Sequence, residues 1–372
     1  MMRIHSSLAG AIAAGAVSIF ASASCAAEVG GLDRKDNRPL EKIDGVASHY
    51  GAVETSDGAK LRTIIAIPDN VDGAPHPLLF TQWVSCGTIE FRENGSPNVL
   101  RTLAQDSGLA LIRVERSSDG DSIGPACNEL DYDTEVAHYT EAFNALLKDE
   151  RIDASKVYVY GSSLGSTTAP LVAHALQEKG YDIAGIAVQG GGAETYLERM
   201  LTFDRIYLER SPDKYAPGDI HDEMIVRTKF QYEYLINNRH PDDIAKDSET
   251  MAAVRADVRG LADTDHYGRP FAWHQQAAKK NFLAAWAAID APVLVIFNDF
   301  DQFEAQYGAD VIVNTVNRLR PGTATLIVQE GIGHSDYRYE TILDAYADVG
   351  GAPAWESKAE FLVEWFHDLE TN

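Results

Sequence analysis

Gly161-Ser162-Ser163-Leu164-Gly165 is the stretch of this sequence best suited to covalent chemistry. It follows Val157-Tyr158-Val159-Tyr160, a run with strand character, and precedes a helix-forming stretch from Ser166 through Gln177. A serine in a G-x-S-x-G turn between strand and helix is held in a strained conformation, so its Oγ stands clear of the backbone. The small residues at 161 and 165 let neighbouring chain pass close. The helix that follows points its amino end at the serine and favours negative charge there.

A serine hydroxyl is a weak nucleophile and needs a base with an orienting acid. Of the 11 histidines, His334 in Glu330-Gly331-Ile332-Gly333-His334-Ser335 falls just after the last strand-like run, at the same carboxyl edge as Ser163. His334 is therefore the expected base. The acid should lie between the two in chain order, in Asn298-Asp299-Phe300-Asp301-Gln302. Two carboxylates compete there. A parallel strand ending at Phe297 must turn outward before its acid can reach an imidazole, which favours Asp301 and leaves Asp299 to cap the turn or face solvent. Two main-chain donors must also hold an oxyanion. The N–H of Leu164 is one; the other should come from Gln82-Trp83-Val84-Ser85, with Val84 expected and Trp83 the alternative. This chemistry requires no metal and no organic cofactor.

The elements that must position these groups alternate between strand and helix. Val53 to Pro68 reads as two strands joined at Asp57-Gly58. Short apolar runs follow at Pro77–Thr81, Leu109–Val114, Val157–Tyr160, Ile183–Val188, Pro292–Phe297 and Ala324–Val328. Runs apolar on both faces, separated by helical stretches such as Tyr132–Leu147 and Ser357–Leu369, are what a buried, mostly parallel sheet requires. The alternation breaks between about 193 and 288, where no convincing strand appears. Helical, aromatic and charged segments such as Tyr196–Glu209 and Met224–Asn237 predict a helical cap insertion lying over an α/β domain. Trp273, Phe282 and Trp286 at helical spacing are expected in a core. His266-Tyr267-Gly268-Arg269-Pro270 is equally consistent with a cleft wall and a structural turn. Asp119 and Asp121 lack an ordered set of oxygen ligands and are expected in a solvated loop.

Composition excludes several classes. The 372 residues are 45% apolar and 24% charged, ordinary for a globular chain. With 32 basic against 56 acidic residues the net charge is −24, which repels nucleic acid and anionic lipid. The expected partner is a small-molecule ester or peptide substrate, not nucleic acid. Residues 1–27 read as an export signal: Arg3, an uncharged apolar run over Leu8–Ala23, then small residues allowing cleavage after Ala23 or Ala27. The run is short of the ~20 residues of a membrane span. A lipidated Cys25 is the second reading, disfavoured by Ser22. A periplasmic or secreted location is expected, and no pattern indicates an oligomeric state.

With these residues placed, the chain resembles the α/β-hydrolase superfamily over nearly its whole length. More narrowly it looks like exported bacterial hydrolases of the prolyl-oligopeptidase-like and carboxylesterase-like groups. The matching stretches are Gln82–Cys86, Val114-Glu115-Arg116 leading to Gly120–Cys127, Gly161–Gly165, His266–Pro270 and Asn298–Asp301. The resemblance implies Ser163, His334 and Asp301 in the roles above. Departures are Gln82-Trp83 where a His-Gly pair is usual, Ser117-Ser118, and Asn298. The usual sheet order of the fold makes the strands before Cys86 and Cys127 neighbours, which implies a Cys86–Cys127 disulfide. By loop-closure entropy it would contribute roughly 4 kcal/mol. The reading is an exported serine hydrolase cleaving carboxylic esters. A peptidase or amidase would use the same groups, and a non-catalytic binding protein of the same fold is the other class.

Overall fold

The computed structural model describes residues 28–35, 38–91, 98–190 and 195–371. The expected export signal and Cys25 lie outside the described residues. Eight strands form the main sheet: β1 (Val46–Glu54), β2 (Lys60–Pro68), β3 (Pro77–Thr81), β4 (Ala110–Val114), β5 (Val157–Ser162), β6 (Ile183–Gln189), β7 (Val293–Asn298) and β8 (Ala324–Gln329). Their spatial order is β1-β2-β4-β3-β5-β6-β7-β8. Only β2 runs antiparallel to its neighbours, β1 and β4; every later pairing is parallel. The first hairpin turns where the sequence places Asp57-Gly58, with Gly58 at φ +87°. β3, β4 and β7 are buried along their whole length, as runs apolar on both faces demand.

Helices cover both faces. On one side, α2 (Tyr132–Leu146), α3 (Gly165–Glu178) and α10 (Gln306–Leu319) bring Phe143, Val172 and Ile312 against Val159, Ile186 and Val295. On the other, α1 (Val99–Asp106) and α12 (Trp355–Thr371) bring Leu103, Leu362 and Phe366 against Phe80, Tyr158 and Ile296. Asn98 and Asp131 start α1 and α2 by accepting the N–H groups of Arg101 and Thr134. No helix among the described residues is long and apolar enough to cross a membrane.

Between β6 and β7 run α4 (Tyr196–Glu209), α5 (Ile220–Gln231), α6 (Pro241–Ala245), α7 (Glu249–Asp257), α8 (Phe271–Ala277) and α9 (Phe282–Ala288). The helix expected over Met224–Asn237 starts at Ile220 and changes to a π turn over Tyr232–Ile236. The segment does contain strand, contrary to expectation: Asp265–His266 pairs with Arg269–Pro270 through a turn at Tyr267-Gly268. Two-residue strands are too short for alternation to mark. Met200, Phe230, Tyr234, Trp273 and Phe282 form a separate apolar cluster here, while Trp286 joins the sheet core. Nearer the carboxyl end, α11 (Ile342–Ala347) starts in a capping box at Thr341.

β5 enters α3 through a turn that leaves no room for a side chain at Gly161 or Gly165. A Cβ on Gly165 would stand 2.1 Å from the Thr81 carbonyl oxygen, and one on Gly161 would stand 2.4 Å from the Gly165 oxygen. The obstructing atoms are backbone and cannot rotate away. Gly165→Ala should therefore destabilise by about 3 kcal/mol, measured as a lowered urea midpoint at unchanged slope. A wild-type midpoint would show that the turn tolerates a methyl group.

Candidate active site

The same turn sets the conformation of Ser163. Its φ is +53°, the left-handed region that L-residues avoid, and its N–H donates to the Gln189 carbonyl of β6 at 2.8 Å. Thr81 Oγ1 donates to the Gly165 carbonyl at 2.9 Å, tying β3 to the start of α3. Ser163 Oγ is thereby held 2.8 Å from His334 Nε2. On the other side of the ring, His334 Nδ1 stands 2.7 Å from Asp301 Oδ2. An ionised carboxylate only accepts hydrogen bonds, so Nδ1 carries the proton and Nε2 is free to accept from the serine. Burial alone would lower the His334 pKa. The Asp301 charge and hydrogen bond, with Glu304 behind, outweigh it and raise the pKa above 6.5.

The two loops carrying these groups are tied to each other. Asp301 Oδ1 accepts the N–H groups of Phe303 at 2.7 Å and Glu304 at 2.9 Å, fixing the carboxylate. Asp299 is half-buried and does more than cap its own turn: its Oδ1 accepts the Gly331 N–H at 2.6 Å, on the loop leading to His334. Asn298 Nδ2 donates to the Gly333 carbonyl at 2.8 Å. The unusual Asn298 thus has a task, since a glycine there could not hold the histidine loop.

Leu164, Trp83 and Val84 all line the cavity that contains Ser163. Among the described residues no hydrogen bond occupies their N–H groups. Arg116 holds the 82–85 loop from behind. It donates to the carbonyls of Ser85 at 2.9 Å, Trp83 at 2.5 Å and Gln82 at 3.3 Å. Carbonyls drawn toward Arg116 fix the peptide planes of this loop. Arg116 Nε donates to Glu135 Oε1 at 2.6 Å, and the other Glu135 oxygen receives Trp273 Nε1 at 2.9 Å together with Arg269. All four side chains are buried. Cys86 and Cys127 are disulfide-bonded with Cα atoms 5.9 Å apart, and Arg269 Nη1 lies 2.8 Å from the Cys127 sulfur.

Asp119 sits beside this disulfide, whose sulfurs are bonded to each other. Asp121 corrects the solvated-loop expectation. It is buried because Arg34 and Arg62 both donate to its Oδ2, at 2.9 and 3.2 Å. These partners come from distant strands and segments, which local spacing does not disclose.

The cavity occupies about 900 Å³. Its walls near Ser163 are aromatic and aliphatic, with Phe80, Leu100, Tyr160, Phe203, Tyr267 and Phe303 among the lining residues. Tyr267 settles the open question about its segment: it lines the cavity, while Arg269 of the same hairpin is buried against Glu135. Behind Tyr196, its hydroxyl bonds His274 Nδ1 at 2.9 Å, and His274 Nε2 contacts the His266 carbonyl at 2.8 Å. Burial pushes His266 down to about 4 and His274 well below its usual range, so both rings remain neutral. One pair escapes sequence reasoning altogether. Arg199 and Glu304 are buried together, joined through Nε–Oε2 at 3.2 Å and through Nη2. Burial pushes Glu304 up to about 7 despite Arg199, with the Asp301 charge adding to the rise.

No protein-family model and no curated protein matches this sequence. Solved structures do resemble it in fold. The Pyrococcus furiosus esterase Pf2001 superposes with a TM-score of 0.51 at 14% identity, over 90% of this chain and 98% of that one. The Pyrobaculum calidifontis esterase gives 0.53 at 14% identity, over 89% and 87%. The α/β hydrolase GrgF from Penicillium sp. sh18 gives 0.51 at 12% identity, over 88% and 100%. Strand order, the strand-turn-helix at Ser163 and these likenesses together give one conclusion: the chain has the fold of the α/β-hydrolase superfamily.

Proposed function

We propose that this protein is an exported serine hydrolase that cleaves carboxylic esters through an acyl-enzyme. The observation that carries the reading is the unbroken relay from Ser163 Oγ through the His334 ring to Asp301, with contacts of 2.8 and 2.7 Å. Ser163 attacks the ester carbonyl while His334 Nε2 takes its proton. Asp301 fixes the tautomer and stabilises the imidazolium that forms. The N–H of Leu164, with that of Val84, holds the oxyanion. His334 then returns the proton to the departing alcohol, and water repeats the sequence on the acyl-enzyme. The Cys86–Cys127 disulfide supports an oxidising compartment and hence the export reading.

A fluorophosphonate probe should label the wild type and leave Ser163→Ala unlabelled, with ester turnover in that variant lower by ~10⁵–10⁶-fold. An unreactive wild type, or labelling of Ser163→Ala, would refute the enzyme reading. p-Nitrophenyl esters run beside aminoacyl nitroanilides separate the ester reading from the peptidase one; preference for the anilides reverses it.

His334 must be neutral to accept the serine proton, so kcat/KM should rise with pH and level off above a pKa that itself lies above 6.5. Stability should move the other way. A raised folded pKa means the His334–Asp301 contribution is fully present below about 6.5 and is lost as pH rises through the folded value. An acid limb centred below 6 in the pH–rate profile would contradict this assignment.

Arg116 orients the 82–85 loop without reaching the cavity, so Arg116→Lys should reduce kcat by ~10- to 100-fold with KM little changed. A change confined to KM would assign that loop to substrate binding instead.

A further inference from the structure

Helix α4 runs along the loop that carries Asp301, and the two make contact at successive points in opposite directions. Arg199, in the first turn of α4, grips Glu304 through Nε and Nη2. One turn on, the Phe203 ring packs on the Phe303 ring with centroids 5.7 Å apart. At the helix C-cap, Arg210 Nη1 donates to the Asp301 carbonyl oxygen at 2.7 Å. The order 199, 203, 210 on the helix thus meets 304, 303, 301 on the loop. The loop's other surface faces the histidine: Phe303 lies edge-on to the His334 ring with centroids 4.9 Å apart. A Cβ built on Gly190 would touch both Ser163 Cα at 3.4 Å and Glu304 Oε1 at 3.6 Å, so the ion pair abuts the nucleophile turn as well. Tyr196, Arg199 and Phe203 of the same helix line the cavity.

We propose that Arg199, Glu304 and Arg210 are positioning residues for the Asp301–His334 pair, so that the cap helix α4 sets both the orientation of the acid and the charge around the base. The proposal rests on the hydrolase reading for its catalytic meaning. The physical argument is the cost of isolating charge. A buried carboxylate this near Asp301 is tolerable only while a guanidinium accompanies it, and Arg199 supplies it from the cap. The charged groups facing His334 are Asp301 and Glu304 from the loop and Arg199 from α4, with Arg210 acting on Asp301. Any substrate group that displaces α4 from the cavity side would pull on the acid loop through three fixed contacts.

Glu304→Gln keeps the shape of the side chain and leaves the Arg199 charge uncompensated. The His334 pKa, followed by NMR titration of its imidazole, should fall by about one unit, and the acid limb of kcat/KM should move down with it. Arg210→Met should lower kcat about tenfold with KM unchanged, and Arg210→Lys should restore most of the loss by keeping a donor for the Asp301 carbonyl. Thermal midpoints taken alongside identify variants that merely unfold. An unmoved imidazole titration in a folded Glu304→Gln protein would overturn the proposal, as would Arg210 variants that change only KM or only the midpoint. The NMR titration needs no turnover. A wild type inert to esters and to the fluorophosphonate therefore defeats the hydrolase reading alone, while the titration still decides whether α4 controls the His334 environment.

Discussion

The left-handed conformation of Ser163 governs the geometry of the site. An L-amino acid in that region costs about 1–2 kcal/mol, and Ser163 occupies it at φ +53°. The conformation persists because the alternatives are blocked. Gly161 and Gly165 let β3, β5 and α3 meet at backbone distance, and the Ser163 N–H is spoken for by Gln189. Relaxing the serine would mean lifting α3 off the sheet, with Val172 and Leu176 drawn out of the core. The strain is thus maintained by apolar burial some distance from the hydroxyl it presents.

Around that turn the protein uses buried charge to fix backbone. Arg116, Glu135 and Arg269 lie together out of solvent, and through Arg116 the cluster grips main-chain oxygens of the 82–85 loop. Buried ion pairs contribute little net stability and are costly when broken. They do impose one arrangement, because any displaced partner leaves an unpaired charge in an apolar setting. Arg199 and Glu304 follow the same logic between α4 and the loop after β7. The disulfide closes the third side by joining the segments after β3 and β4.

The acidic surface and the cavity have different chemistry. Net charge is −24, yet the walls near Ser163 are largely aromatic and aliphatic. Long-range fields therefore discourage anionic partners, while short-range contacts inside favour apolar groups. Neutral His266 and His274 extend this apolar character into the layer behind Tyr196.

The features legible from residue order alone are local ones. Apolar runs of strand length mark β3 to β8, whereas β1, half-exposed over Val46–Glu54, lies almost wholly before the Val53–Pro68 stretch read as the first hairpin. The Gly161–Gly165 spacing marks the turn, and chain order brings His334 and Asp301 into consideration. Local pattern favours Asp301 over Asp299, because reach from a strand end depends on a few bonds, and Asp301 is the one that lies 2.7 Å from His334 Nδ1. The contacts of Asp299, Asn298, Arg116, Asp121 and the Arg199–Glu304 pair emerge only from the folded packing. Each of these side chains acts on a partner far along the chain, such as Asp299 on Gly331 or Arg199 on Glu304. Hydrophobic periodicity carries no information about which distant carbonyl or carboxylate a buried polar group will meet; that is settled when the helices and loops pack and every buried charge must find its counterpart.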